Sequence, residues 1–168
     1  STVPVAVTHA MSLSVADGSL GTWKPQPAGS VIDIAVTQDA TRVLMAGYFA
    51  NIAGNATHGY FGITSLATGA PVSDTGAWQP STGSVATAKY QQAVADLGDR
   101  LVVGGSEHDT QLWNKARTTL LDSSITKPGG DTQVIEVVGS KTYVGCHCGG
   151  WIYQGTNNWT APPSFRSI

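Results

Sequence analysis

The chain is poor in charge and very poor in glutamate. Its 168 residues carry 9 Lys+Arg against 11 Asp+Glu, a net of −2, and only two glutamates occur, Glu107 and Glu136. A surface helix draws heavily on Glu, Lys, Arg, Ala and Leu, so a helical bundle is excluded. The near-neutral balance and the lack of a basic stripe exclude an electrostatic nucleic-acid binder. No apolar run approaches the length of a membrane span. A charged n-region followed by an apolar h-region is also missing at the start, so no signal peptide is visible. Two cysteines, Cys146 and Cys148, are too few for a spaced zinc framework. No Gly-x-x-x-x-Gly-Lys-Ser/Thr loop and no Gly-x-Ser-x-Gly elbow occurs, which removes the commonest signatures of nucleotide hydrolysis and of serine hydrolases.

Glycine is abundant instead, 20 residues, and Thr, Val and Ser are frequent beside it, a composition of strands and turns. Within it the strongest signal is internal repetition. Trp23-Lys24-Pro25 returns as Trp78-Gln79-Pro80 and, more weakly, as Thr126-Lys127-Pro128, with the prolines 55 and then 48 residues apart. Six residues past the first and third prolines lie the apolar runs Val31–Val36 and Val134–Val138. The looser counterpart of the second copy is Gln92-Ala93-Val94-Ala95. Turns at Gln38-Asp39-Ala40, Gly98-Asp99 and Gly139-Ser140 follow. Each leads to a second strand that opens on a basic residue: Arg42–Gly47, Arg100–Gly105 and Lys141–Cys146, aligned without gaps. Short turns between such runs predict antiparallel hairpins.

The second half of the unit repeats as well. Thr57-His58-Gly59-Tyr60-Phe61-Gly62-Ile63 leads through Thr68-Gly69 to Trp78, much as Thr8-His9 leads through Asp17-Gly18 to Trp23; Arg117–Asp122 is the third version. About four strands in about 50 residues is the size of a propeller blade. The predicted fold is all-β: a partial β-propeller of about three antiparallel four-stranded blades. Residues 1–25 form the second half of a blade, 26–80 and 81–128 one blade each, and 129–168 the first half of a further blade. Closed propellers use about four to eight blades, so the segment is expected to be part of a longer chain or to be completed by blades of other chains. The predicted core is Ile32, Ile34, Val43, Met45, Leu101, Val103, Val134 and Val144.

The order Trp-x-Pro, strand, turn, Arg-strand-Gly-Gly, strand, Thr-Gly resembles the β-propeller repeats of actinobacterial secreted proteins and of minor tail proteins from phages of those bacteria. Residues Arg42 to Phe49, Gly54, Thr68-Gly69 and Trp78-Gln79-Pro80 carry the resemblance, with Val144-Gly145-Cys146-His147-Cys148. It covers residues 8–150 and departs at Glu107-His108-Asp109, where an aromatic is expected. The resemblance implies a non-enzymatic structural and recognition module. Its setting would be a phage tail tip or an exported bacterial surface protein, in a virion tail or at the cell surface. Its partners would be the remainder of the polypeptide or other virion or surface proteins, together with cell-surface carbohydrate. No cofactor and no metal is implied. A glycoside-processing enzyme is the alternative of another class, since its paired carboxylates need only meet in space.

Candidate contact residues follow from their chemistry. Glu107, His108 and Asp109 are consecutive titratable groups, although alternation along an extended loop keeps three neighbours from converging. Trp113, Tyr153, Asn157 and Trp159 lie outside the repeated positions. Flat apolar rings near amides suit sugar rings. Cys146 and Cys148 would share one face of a strand with His147 on the other, about 6.5 to 7 Å apart between Cα atoms, at the upper edge for a disulfide unless the chain bends. A bridge, two thiols and a metal site all remain open for them. His9 and His58 occupy equivalent repeat positions, which points to a structural role at a strand entrance, and Trp23 and Trp78 are expected to pack the blades. Asn55-Ala56-Thr57 and Asn158-Trp159-Thr160 fit the glycosylation triplet, which chance alone also produces.

Overall fold

The computed structural model describes residues 4–72, 89–106, 109–116, 118–126 and 130–152. Among these the protein is all-β, with antiparallel pairing throughout and a single short 3-10 turn, Ala56–His58. Three hairpins organise it. Strands β1 (Val31–Val36) and β2 (Arg42–Gly47) pair, and β3 (Phe61–Ser65) joins them in the first sheet. Strands β4 (Gln91–Asp96), β5 (Arg100–Gly105), β6 (Asp109–Asn114) and β7 (Leu120–Thr126) form the second sheet. Its far edge is extended by β10 (Trp151–Ile152), so this sheet has five strands and not the expected four. Strands β8 (Thr132–Val138) and β9 (Lys141–Cys146) make the third hairpin.

The hairpins repeat one another in detail. The second strands fall on the three segments aligned from the sequence. Each hairpin carries an irregularity at the same place: between Val31 and Asp33, between Gln91 and Ala93, and between Thr132 and Val134. This register makes Val31, Gln91 and Thr132 equivalent. Counting from the Trp-x-Pro segments had matched Val134 with Val31, and the pairing corrects that by two residues: Val134 corresponds to Asp33. Beyond each hairpin the same backbone bond recurs, from Tyr48 N to Ser30 O, Ser106 N to Tyr90 O and His147 N to Asp131 O, at 2.8, 3.0 and 2.9 Å. Gly47 and Gly105 end their strands where a side chain would meet backbone. A Cβ on Gly105 would lie 2.7 Å from Gln91 Cα, and one on Gly47 3.0 Å from Val31 Cα, separations that only glycine avoids.

The sheets stack face against face in chain order. Leu44, Ala46, Phe61 and Ile63 of the first sheet pack on Val94, Leu101 and Val103 of the second. Ala93, Ala95 and Val102, on the second sheet's other side, pack on Ile135 of the third hairpin. The first sheet's remaining face holds Val43 and Met45 against Trp23, Phe49 and Ile52. Buried apolar side chains of this size each contribute about 1.5–3 kcal/mol. The first strands of the three hairpins, β1, β4 and β8, lie side by side and line one groove of about 380 Å³.

Half of the predicted core is buried: Val43, Met45, Leu101 and Val103. Ile32, Ile34, Val134 and Val144 are exposed, a correction with a positional cause. Ile34 corresponds to Val94 and Ile135, which the preceding hairpin covers; nothing among the described residues covers Ile34. Val134 corresponds to Ala93, which the following hairpin covers. Ile32 sits at the bulge and, like Ile34 and Val134, lines the shared groove. Val144 lines a cleft of about 600 Å³ between the third hairpin and the second sheet, beside Arg100, Asp122 and Lys141.

Candidate functional site

The strand ends at one side of the stack bring consecutive units together. Tyr48 follows β2, Tyr90 and Gln92 flank the start of β4, and Asp131 precedes β8. The rings of Tyr48 and Tyr90 stack with centroids 4.0 Å apart and planes inclined by 24°. The Tyr90 hydroxyl donates to Asp131 Oδ2 at 3.2 Å, and Gln92 Nε2 donates to the same oxygen at 2.6 Å. Three units thus meet in one polar and aromatic cluster. The Tyr90 phenol is held well above the usual tyrosine range, first by its hydrogen bond with the Tyr48 side chain, then by burial, then by the negative charge of Asp131.

Local geometry fixes these groups. The bonds from Tyr48 N and Ser106 N to the Ser30 and Tyr90 carbonyls hold both tyrosine-bearing segments to the hairpin ends. The Asp131 segment is tied in the same manner by His147 N. His147 itself lies between Cys146 and Cys148, which are joined in a disulfide with Cα atoms 5.3 Å apart. That separation is shorter than an extended strand gives, so the chain bends at His147, whose side chain is exposed. The bridge occupies both sulfurs. Among the described residues no three His, Cys, Asp or Glu side chains gather as a metal site.

Of the contact residues expected from the sequence, Trp113 is placed in β6, where it packs against the core between the first two sheets and its indole N–H donates to Gln111 Oε1 at 2.9 Å. Asp109 opens the same strand opposite Ile125. Glu107, His108, Tyr153, Asn157 and Trp159 lie outside the described residues, as do Trp78 and Asn158. The two equivalent histidines differ. His58 is fully buried; its Nδ1 accepts the Ile63 N–H at 3.2 Å, so Nε2 carries the proton that reaches Val72 O at 3.1 Å. His9 is exposed. Trp23 is buried and donates its indole N–H to Thr64 Oγ1 at 3.0 Å. Asn55 Oδ1 caps the 3-10 turn, accepting from Thr57 N and Oγ1 at 3.1 and 2.7 Å.

The tyrosine cluster escaped the sequence reading. Its signal was positional: Tyr90 and Asp131 occupy equivalent positions just before first strands and Tyr48 lies just after a second strand, but which ends meet across units is decided only by the stacking.

A single acidic side chain among the described residues, Asp131, joins the cluster, beside two aromatic rings and an amide. Rings offer flat apolar faces, and carboxylate and amide offer directed acceptors and donors. Such a set can hold a hydroxyl-rich ring by stacking and hydrogen bonding. No helix among the described residues is long and apolar enough to cross a membrane. Compared with known protein families, with curated proteins and with solved structures, the chain matches none.

Proposed function

We propose that the chain is an arc of a β-propeller that acts as a non-enzymatic structural and recognition module, with carbohydrate as the ligand class. The observation carrying this reading is the convergence of Tyr48, Tyr90, Gln92 and Asp131 from consecutive units. The propeller arrangement is supported by the repeated bulge, by the face-to-face order of the sheets and by the common groove lined by β1, β4 and β8. The setting we propose is the tail tip or a minor tail protein of an actinobacterial phage, touching host-surface glycan. An exported bacterial surface protein is the second setting; the Cys146–Cys148 bridge favours an oxidising location, which both supply. Glycoside hydrolysis requires two carboxyl groups about 5–9.5 Å apart, and the cluster offers one among the described residues.

The test is a glycan array built on actinobacterial envelope saccharides, followed by calorimetry on the best ligand. Tyr90→Leu and Asp131→Asn should each weaken binding about tenfold or more, a loss of about 1.4 kcal/mol. Absence of any saccharide binding by the wild-type chain, or equal binding by both variants, would contradict the reading.

A further inference from the structure

The two interfaces between units use the same repeat positions but are filled differently. Pairing with equivalent residues of the second strands makes Phe61 of β3 the counterpart of Thr110 of β6, and Ile63 that of Leu112. At the first interface Phe61 is buried with Val94, Leu101 and Val103. At the second, Thr110 stands in its place and shares a hydrogen bond with Thr132 Oγ1 at 2.7 Å. The turn end differs as well. There the first interface is closed by Asp96, whose carboxylate accepts Gln38 N across the sheets at 2.7 Å. The equivalent of Asp96 on the third hairpin is Val137, which has no carboxylate to offer. With the aromatic ring and the carboxylate both gone, the second interface stays open as the cleft of about 600 Å³.

That volume falls in the range of small-molecule sites, roughly 300–1,000 Å³. Part of its lining is apolar: Leu97, Leu112 and Val137, which pack on the Ile135 cluster. Two exposed cations share the lining. Arg100 and Lys141 open equivalent strands of neighbouring units, and the stacking brings both to this one cleft. Lys141 makes no ion pair among the described residues, and Arg100 engages its Nε alone, with Asp99. Ser140 and Thr142 bring hydroxyl groups beside Lys141. The one acid on the lining, Asp122, stands on β7, two strands and therefore about 9.5 Å from β5. A negative charge is thus favoured on the Arg100 side. We infer that this cleft binds a small organic monocarboxylate with an apolar body. The carboxylate lies between Arg100 and Lys141, where guanidinium and ammonium form charge-assisted hydrogen bonds, and the body covers Leu97, Leu112 and Val137. The lining includes none of Tyr48, Tyr90, Gln92 and Asp131, so the inference is independent of the carbohydrate reading.

The probe is hexanoate, with hexanol and inorganic phosphate standing for its apolar and anionic halves. Each is titrated into the ¹⁵N-labelled 168-residue chain and followed by NMR. Hexanoate should bind saturably and shift the amides of Leu112, Val137 and Thr142, while hexanol and phosphate should bind at least tenfold more weakly. Lys141→Gln and Arg100→Gln should each weaken hexanoate binding about tenfold or more. Both positions are exposed, and circular dichroism checks that each variant keeps the wild-type strand signal. Lys141→Arg, which keeps the charge, should retain binding. Absence of saturable hexanoate binding would overturn the inference, as would phosphate or hexanol binding as tightly, or shifts centred on Tyr48 and Tyr90. Failure here alongside intact saccharide binding would leave the recognition reading standing.

Discussion

The carboxylate of Asp33 accepts the backbone N–H of Val94 at 2.8 Å, across the gap between the first and second sheets. Strand β4 pairs with β5 on one side only, and its other edge turns toward β1, so the Val94 N–H has no strand partner. Asp33 supplies the missing acceptor while its other oxygen accepts from Ile34 N at 2.8 Å. A charged acceptor at a sheet edge also discourages unwanted strand pairing. Asp33→Ala should lower stability by about 1.5–3 kcal/mol, the range for a hydrogen bond to a charged group. Asp33→Asn, which keeps one acceptor, should cost less. Urea unfolding curves check the order.

Asp96 ties the opposite end of the same two sheets. It is buried, and it accepts from Gln38 N at 2.7 Å and from the Lys115 ammonium at 2.7 Å. Asp96→Ala strands several donors at once and should cost about 2–4 kcal/mol. Lys115→Met should cost less, about 1 kcal/mol, because solvent reaches the ammonium and screens the pair. If Asp96→Ala unfolds at the same denaturant concentration as the wild type, the packing of sheet on sheet does not depend on this link.

Asp39 gives the first hairpin turn a pH signature. Its carboxylate accepts from Thr37 Oγ1, from Thr41 Oγ1 and from Thr41 N at 2.6, 2.8 and 3.1 Å, and these bonds, the Thr37 hydroxyl first, lower its pKa to about 2. A carboxyl depressed on folding adds stability that is fully present above its unfolded value, about 3.9, and is lost as pH falls through the folded one. The stability gap between wild type and Asp39→Ala should therefore be constant near neutrality and close between about pH 4 and pH 2. A carbon-detected NMR titration of the Asp39 carboxyl should show a midpoint near the lower end of that window.

The Cys146–Cys148 bridge predicts a thiol count. Unreduced, denatured protein should show no titratable thiol, and reduced protein two. The ring spans a single intervening residue, so it removes little chain entropy and reduction should move the melting midpoint only slightly. Its effect should appear instead at Asp131, whose carbonyl is bonded to the bridged segment through His147 N. A large loss of stability on reduction would show that the bridge carries more of the fold than a local bend.

The strands that carry the repeat were legible because their chemistry is local. A basic residue, three or four consecutive apolar residues and a terminal glycine define Arg42–Gly47 and Arg100–Gly105 whatever surrounds them. The first strands were harder. Each carries a bulge at the same place, which shifts the face of every residue on one side of it, and the two-residue misalignment of Val134 came from the proline-to-strand spacing, which is two residues shorter in the third unit than in the first. Exposure at Ile34 and Val134 was not legible, because period-two alternation identifies a face without saying whether another sheet covers it. The candidate site was hidden for the same reason. Tyr48, Tyr90 and Asp131 are 42 and 41 residues apart in sequence, and no local pattern joins them; the stacking of units does. Trp113 shows the converse: an aromatic outside the repeat that the second sheet uses for packing.

The most direct test of the account is chemical-shift mapping on the ¹⁵N-labelled chain during titration with the saccharide that binds best on an array. The account predicts shifts concentrated at Tyr48, Tyr90, Gln92 and Asp131 and the adjoining backbone of Ser106 and His147, saturating together as one site. Saturable shifts confined to another surface, or no shift at the tyrosine cluster while binding is evident by calorimetry, would contradict it.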